Sequence, residues 1–246
     1  SQVISAVIVM GMLLKTKEIY VLKLQEIRFD RRMLFSVLRI GIPAGLESVM
    51  YNISNIVIQV FVNNLGTDTV AAWGTLGKID ALFWMVINAF AISITTFVGQ
   101  NYGAGKYHRM RKSVRVCMTM SMVGSAILIL FMYTCAPWIY SLFTTDSAVI
   151  AHGVHMSRFM LPSYFIYVII GILSGALRGA GRVLVPMLLT CGGVCFFRIV
   201  WMFGVFPGYP GINTIMLSYP VSWGITAVLF IIYYIRRFPK VKRIQE

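Results

Sequence analysis

Long apolar stretches recur along this 246-residue chain, each about as long as a lipid bilayer is thick. A helix needs about 20 residues to cross the hydrocarbon core of a membrane, since each residue advances it by about 1.5 Å. Six stretches reach this length: residues 40–65, 70–98, 116–138, 159–177, 183–206 and 212–235. Hydrophobic residues make up 58% of the chain and charged residues 12%, whereas soluble domains carry about 25% charged residues. The sequence therefore predicts an all-α integral membrane protein and excludes a soluble domain.

The basic residues fall on alternate connections between these spans. The chain has 22 Lys and Arg residues against 8 Asp and Glu, a formal net charge of +14. Most of the bases lie in residues 15–39, 99–115, 178–182 and 236–243. Membrane proteins keep Lys and Arg in their cytoplasmic loops, so these segments and the C-terminus are predicted to be cytoplasmic. The positive charge therefore indicates how the protein is oriented in the membrane and not a nucleic-acid-binding surface, and no nucleic-acid partner is predicted.

The same pattern divides the chain into four parts. Residues 1–14 are apolar but too short to span a membrane, and are predicted to be the end of a preceding transmembrane helix. Residues 15–39 mix bases with apolar side chains, which is typical of a cytoplasmic linker at the membrane interface. Residues 40–235 form the six-helix lobe, and residues 236–246 form a basic cytoplasmic tail.

A polar stripe follows one face of the first span. Its members are Ser48, Asn52, Asn55, Gln59 and Asn63. At about 100° per residue, these five side chains fall within about 80° of one another on a helix. Hydrocarbon cannot satisfy their hydrogen bonds, so the stripe faces protein or water. Bonding between helices would explain it too, but its length favours a water-filled cavity. Glu47 lies beside the stripe.

Ionisable residues inside the spans are candidate functional groups by default. Asp80 and Lys78 lie in the second span and Arg198 in the fifth. A carboxyl group in a low-dielectric site can exchange protons in the physiological range, so Asp80 and Glu47 are predicted to carry the coupling cation. A structural ion pair is the alternative for Asp80, and Lys78 and Arg198 are predicted to make such pairs. Asn88, deeper in the second span, is predicted to line the cavity.

Small residues at every fourth position let two membrane helices approach closely. Gly171, Gly175 and Gly179 form such a series at the end of the fourth span and just after it. His152 and His155 have a spacing that suits a metal, but no third ligand is close in sequence. No metal site and no cofactor other than the coupling ion is therefore predicted.

Several motifs in their order resemble the multidrug and toxic compound extrusion (MATE) transporter family, most closely its bacterial, DinF-like members. They are residues 41–43 (GIP), 63–66 (NNLG), 70–72 (VAA), 98–105 (VGQNYGAG), 175–181 (GALRGAG), Arg198 and residues 219–223 (YPVSW). The likeness covers nearly the whole chain. Each motif alone is weak, and the ordered set with its matching topology is the more specific signal.

The resemblance implies a twelve-helix transporter of two six-helix lobes that alternates between inward-open and outward-open states. Such a protein exports organic, often cationic, compounds across the bacterial plasma (inner) membrane in antiport with protons or sodium. Residues 1–14 would end the sixth helix, and the six spans would be helices seven to twelve. The partners implied are the missing N-terminal lobe, membrane lipid and small organic substrates.

One position departs from the family pattern. Many members carry a glutamate eight residues after the proline of the G-x-P element, where this chain has Tyr51. The fourth span also lacks an acidic residue. Tyr51 is therefore predicted to line the cavity, and Asp80 becomes the leading candidate for coupling, with Glu47 second.

Three other functions compete with efflux. A flippase for lipid-linked or polysaccharide precursors would share the architecture, but a largely neutral polar stripe disfavours it. A membrane enzyme would need a nucleophile–base pair or metal ligands at one depth in the membrane, and the only candidates are His152 and His155. A membrane scaffold would not transport even with the first lobe supplied.

Overall fold

The computed structural model describes residues 2–16, 21–22 and 28–238. Residues 239–246 of the predicted tail and two parts of the predicted linker lie outside the described residues. The chain divides into two compact units, residues 1–41 and 42–246. The predicted division of the chain into a helix end, a linker, a six-helix lobe and a tail stays a prediction.

The first unit contains α1 (Gln2–Lys15) and the first turns of α2 (Arg31–Asn63). α1 ends in Lys15, and of its described residues none is buried. α2 begins at Arg31, although the sequence predicted the span to start at residue 40. Asp30 Oδ1 accepts hydrogen bonds from the backbone N–H groups of Arg32 and Met33, at 2.7 and 3.1 Å. This cap satisfies the donors of the first helical turn, so the helix extends into the predicted linker.

The second unit contains the rest of α2 and eight further α-helices in its described residues. They are α3 (Thr67–Gly103), α4 (Tyr107–Thr134), α5 (Ala136–Ser141), α6 (Ser147–Met160), α7 (Tyr164–Gly179), α8 (Leu184–Thr190), α9 (Phe197–Gly204) and α10 (Ile212–Arg237). Among the described residues six helical segments are long and apolar enough to cross a membrane: α2, α3, α4, α6 with α7, α8 with α9, and α10. The predicted all-α class with six spans is confirmed.

The fourth span is longer than predicted. Residues 139–158 were expected to connect the third and fourth spans, but α6 occupies much of this segment. Asp146 starts the helix by accepting the Ala148 N–H at 2.8 Å. A 3₁₀ turn at Leu161–Ser163 then joins α6 to α7, because Pro162 has no N–H for an α-helical bond.

The fifth span contains a π-helical turn at Cys191–Phe196, between α8 and α9. A π turn accommodates one residue more than an α turn and appears mostly as a local bulge. Gly193 lies inside it, and a methyl group at this position would collide with the Thr226 side chain of α10. The bulge and the glycine together let the fifth span rest closely on α10.

The core lies where α3 packs against α4, α6 and α7, and α7 against α10. The glycine series brings α7 close to α3, as the sequence predicted. The Thr95 hydroxyl of α3 donates to the Gly175 carbonyl at 3.0 Å. Apolar side chains such as Phe83, Ile94 and Val168 are fully or almost fully buried in the same core. The closely packed α3 and α7 both contribute residues to the polar cavity described next.

Candidate binding cavity

A cavity of about 720 Å³ opens among α2, α3, α7, α9 and α10. Nine residues singled out by the sequence lie on its wall: Glu47, Ser48, Tyr51, Asn52, Asn55, Gln59, Asp80, Asn88 and Arg198. Lys78 is not among the residues that line it. The predicted polar residues of three different helices therefore meet at one place.

The polar stripe of α2 faces this cavity along most of its length. Ser48, Asn52, Asn55 and Gln59 line the wall. The Asn52 amide donates to the Ser48 carbonyl at 2.8 Å, and the Gln59 amide donates to Asn63 Oδ1 at 2.8 Å. Both bonds stay within α2, and among the described residues the stripe makes no hydrogen bond to a neighbouring helix. The geometry favours the cavity over the structural alternative.

Glu47 is paired with Arg178 at the end of α7. Arg178 Nη2 lies 2.8 Å from both carboxylate oxygens of Glu47. The Glu47 side chain is 11% exposed and that of Arg178 is 39% exposed. The sequence had placed Arg178 in a basic loop and missed this partner. The ion pair compensates the charge of Glu47 on the cavity wall.

Asp80 has a different environment. The Tyr164 hydroxyl donates to Asp80 Oδ2, while the buried Oδ1 has no hydrogen-bond partner among the described residues. Asp80 is 9% exposed. The structure shows no base at salt-bridge distance from it within residues 28–238. The carboxyl group thus faces the cavity without the ion pair that was its structural alternative.

The ion pairs predicted for Lys78 and Arg198 are replaced by aromatic contacts. Lys78 Nζ lies 5.9 Å from the centre of the Phe143 ring. The Arg198 guanidinium lies 3.8 Å from the centre of the Tyr219 ring, and its Nε donates to the Ser222 hydroxyl at 3.1 Å. In the described part of the chain neither base has a carboxylate at salt-bridge distance. Cation–π contact favours each cation where no carboxylate is near.

An aromatic wall was missed by the sequence reasoning. It consists of Trp84, Tyr164, Tyr167, Tyr219 and Trp223. Ring centres lie 4.6 Å apart for Trp84 and Tyr167, 5.7 Å for Tyr164 and Trp223, and 5.5 Å for Tyr219 and Trp223. The Tyr167 hydroxyl also lies 3.3 Å from that of Tyr51. The helical spacing of Tyr164 with Tyr167, and of Tyr219 with Trp223, was the available signal.

The two histidines lie away from the cavity. His155 Nε2 is 2.9 Å from Asn213 Oδ1, which joins α6 to α10. Over the residues that the structure describes, no group of three His, Cys, Asp or Glu side chains could hold a metal. The hydrogen-bond partner of His155 is thus the side-chain amide of Asn213.

Comparisons with known proteins bear on this architecture. The model of the MatE family matches residues 43–203. Probable multidrug resistance protein YoeA of Bacillus subtilis (strain 168) is 24% identical over 85% of this chain and 45% of its own length. Multidrug export protein MepA of Staphylococcus saprophyticus is 22% identical over 96% of this chain and 52% of its own length. A probable multidrug resistance protein NorM of Aromatoleum aromaticum is 30% identical over 69% and 36%.

Solved structures share the fold. A multidrug resistance MATE family transporter in an outward-facing conformation superposes with a TM-score of 0.87 at 17% identity. That match covers 98% of this chain and 55% of the other. An inward-facing structure of such a transporter gives a TM-score of 0.78. The chain therefore spans about half the length of the proteins it resembles.

Proposed function

The chain belongs to the MatE family, and on that premise we propose that it forms the C-terminal six-helix lobe of a multidrug efflux transporter. Relatives with this architecture are named multidrug resistance or export proteins. The chain covers about half of their length, so a second lobe would complete the cavity, as expected for transporters built from repeats. The observation that carries the proposal is the polar and aromatic cavity in the membrane helices. Membership of the DinF-like subgroup stays a prediction.

The transport cycle that we propose is alternating access, in which the two lobes rock around the cavity. Structures of the same fold are described as outward-facing and as inward-facing. Pro43 and Pro220 lie inside α2 and α10, which both border the cavity. Internal prolines free backbone carbonyls and bend helices, which would let these two helices flex at the cavity.

Substrate contact is assigned to the α2 stripe and its neighbours. Asn52, Asn55 and Gln59 offer amide donors and acceptors along one wall, while Tyr51 and Asn88 add polar groups beside them. The aromatic wall faces the same space and supplies flat apolar surface. A cavity that combines few polar groups with aromatic rings suits small organic compounds.

Asp80 is the group that we propose carries the coupling cation. Glu47 already has its charge compensated by Arg178, whereas Asp80 holds one oxygen toward Tyr164 and one without a partner in the described structure. The Asp80 carboxylate can bind an incoming proton or a sodium ion with less competition. The entry of that cation would be exchanged for the exit of substrate.

The replacement Asp80→Asn tests this assignment in a protein that carries both lobes. Drug efflux is measured from cells or vesicles under an imposed proton gradient and, separately, a sodium gradient. Gradient-driven efflux should fall to background while the amount of membrane-inserted protein stays unchanged. Asp68→Asn is the matched control, since Asp68 lies exposed in the first turn of the same helix. Efflux by Asp80→Asn at the level of the control would refute the assignment.

The flippase alternative is less favoured. The relatives are named for drug export. A scaffold role would leave both gradients without effect even in the two-lobe protein. The orientation with a cytoplasmic C-terminus, in a bacterial plasma membrane, is part of the proposal and rests on the basic loops.

A further inference from the structure

A groove between α3 and α4 lies apart from the polar cavity. It measures about 660 Å³, and its lining residues belong to these two helices. The Cys117 thiol and the Phe90 carbonyl oxygen, both from lining residues, lie 3.9 Å apart where the two helices meet. The groove walls carry large apolar side chains that stay exposed: Phe97, Val116 and Met120. This α3–α4 groove and the polar cavity share no lining residue among those that the structure describes.

The α3–α4 groove is basic at one end and apolar at the other. Arg109 and Lys112 line it near the start of α4. Val116 and Met120 follow on the wall, one and two turns further along, and this spacing keeps all four side chains on one face of the helix. From Arg109 to Met120 the helix advances about 16 Å, which is close to half the hydrocarbon thickness of a bilayer, about 15 Å. The groove therefore has the length and polarity of a phospholipid in one leaflet.

Neither base of the α3–α4 groove has a counter-ion in the part of the chain that the structure describes. No carboxylate lies at salt-bridge distance from Arg109 or Lys112 there. Arg109 also lies in the first turn of α4, which contains no acidic residue. Because the helix dipole places partial positive charge at this end, a base there is destabilised unless an anion is close. The two bases thus favour an anionic occupant.

We propose that the α3–α4 groove binds an anionic phospholipid, with the phosphate at Arg109 and Lys112 and an acyl chain along the apolar wall. Guanidinium and ammonium groups bind phosphate oxygens through charge-assisted hydrogen bonds. Basic pockets between membrane helices on the cytoplasmic side bind acidic headgroups, and this segment is predicted to be cytoplasmic. A free phosphate would leave the apolar wall uncovered, which is why the occupant is a lipid. The site lies outside the polar cavity and goes beyond the proposed function.

Fluorescence quenching by brominated lipids tests the proposal. Phe97→Trp adds a reporter to the groove wall of the two-lobe protein, which is placed in phosphatidylcholine nanodiscs. Phosphatidylglycerol and phosphatidylcholine with brominated acyl chains are then compared as quenchers, after subtraction of the quenching seen without the reporter. The reporter should favour phosphatidylglycerol by about 5- to 30-fold, because each base beside an anionic headgroup contributes about fivefold. Val116→Trp, on the α4 wall, is a second reporter and should give the same preference.

Two double variants with equal loss of charge assign the preference to the groove. Arg109→Gln with Lys112→Gln should bring the preference for phosphatidylglycerol below about twofold. Arg115→Gln with Arg236→Gln is the matched control, because neither of these bases lines the groove and Arg115 lies near Tyr234 of α10. The control should keep the preference of the reporter protein within about twofold. All four bases are exposed, so both double variants should fold.

The outcomes are distinct. Equal quenching by the two brominated lipids at both reporters overturns the site. An equal loss of preference in the two double variants also overturns it, because general surface charge would then explain the binding. Glycerol 3-phosphate, a headgroup without acyl chains, should leave the quenching unchanged, and displacement of the lipid by it would overturn the lipid in favour of a phosphate site. Drug efflux enters none of these measurements, so their result is independent of the proposed function.

Discussion

Replacing Gly175 by alanine should loosen the contact between α7 and α3 on which the cavity rests. A Cβ atom at Gly175 would lie 2.7 Å from the Ala91 carbonyl oxygen and 2.8 Å from Ile94 Cγ2, whereas ordinary contacts start at 3.4 Å. The oxygen belongs to the backbone of α3, so a side-chain rotation cannot relieve the clash. The two helices must separate by several tenths of an ångström.

The size of the effect follows from three contributions. Overpacking of this kind costs about 1–3 kcal/mol. Separation also strains the hydrogen bond from Thr95 to the Gly175 carbonyl, which contributes about 1 kcal/mol. Alanine regains about 1 kcal/mol through its higher helix propensity. The net loss is about 1–3 kcal/mol, or about 5- to 150-fold in the ratio of folded to unfolded protein.

Reversible denaturant unfolding of the protein in mixed micelles, followed by tryptophan fluorescence, measures this loss. Gly74→Ala in α3 is the control, because a Cβ at Gly74 meets nothing within 4 Å. The control should be as stable as the wild type or slightly more so. The reasoning fails if Gly175→Ala unfolds at the same denaturant concentration as Gly74→Ala.

The same assay examines two other contacts. Glu47→Gln and Arg178→Gln should each destabilise the protein, and a double-mutant cycle should give an interaction energy of about 1–2 kcal/mol. This value lies between those of exposed and of buried salt bridges, because the pair is partly exposed. Losses of stability that simply add in the double mutant would show that the pair contributes nothing. Asp146→Ala removes the cap that accepts the Ala148 N–H and should cost about 1 kcal/mol, whereas Asp146→Asn should be nearly neutral.

The features that the sequence predicts well are those set by local periodicity. Apolar stretches of bilayer length predict the six spans, since a membrane helix must satisfy its own backbone hydrogen bonds. The polar face of α2 could be placed for the same reason, because Ser48 and Gln59 are related by helical geometry alone. In the structure both side chains line the cavity.

Partners that are distant in sequence escaped prediction. Glu47 and Arg178 are 131 positions apart, and Asp80 and Tyr164 are 84 apart. No periodicity relates such positions, since the pairing depends on how whole helices pack. Arg198 was expected to find a carboxylate, but its neighbours are the rings and hydroxyl of α10.

Helix ends were predicted less accurately than helix centres. The first span and α6 both begin earlier than hydropathy indicated, each after an aspartate that accepts backbone N–H bonds. Asp30 and Asp146 were visible in the sequence as helix-start signals. Bases and histidines in the following turns lowered the hydropathy and hid the helices.

The π turn of the fifth span has an evolutionary meaning. Such a turn is equivalent to a single-residue insertion in an α-helix, so removing one residue from Cys191–Phe196 would restore regular geometry. Because the turn absorbs its extra residue locally, the residues after it would keep the directions in which they face, and Arg198 would stay on the cavity wall. One codon can thus be gained or lost at this turn, between otherwise similar transporters, without taking the arginine off the wall.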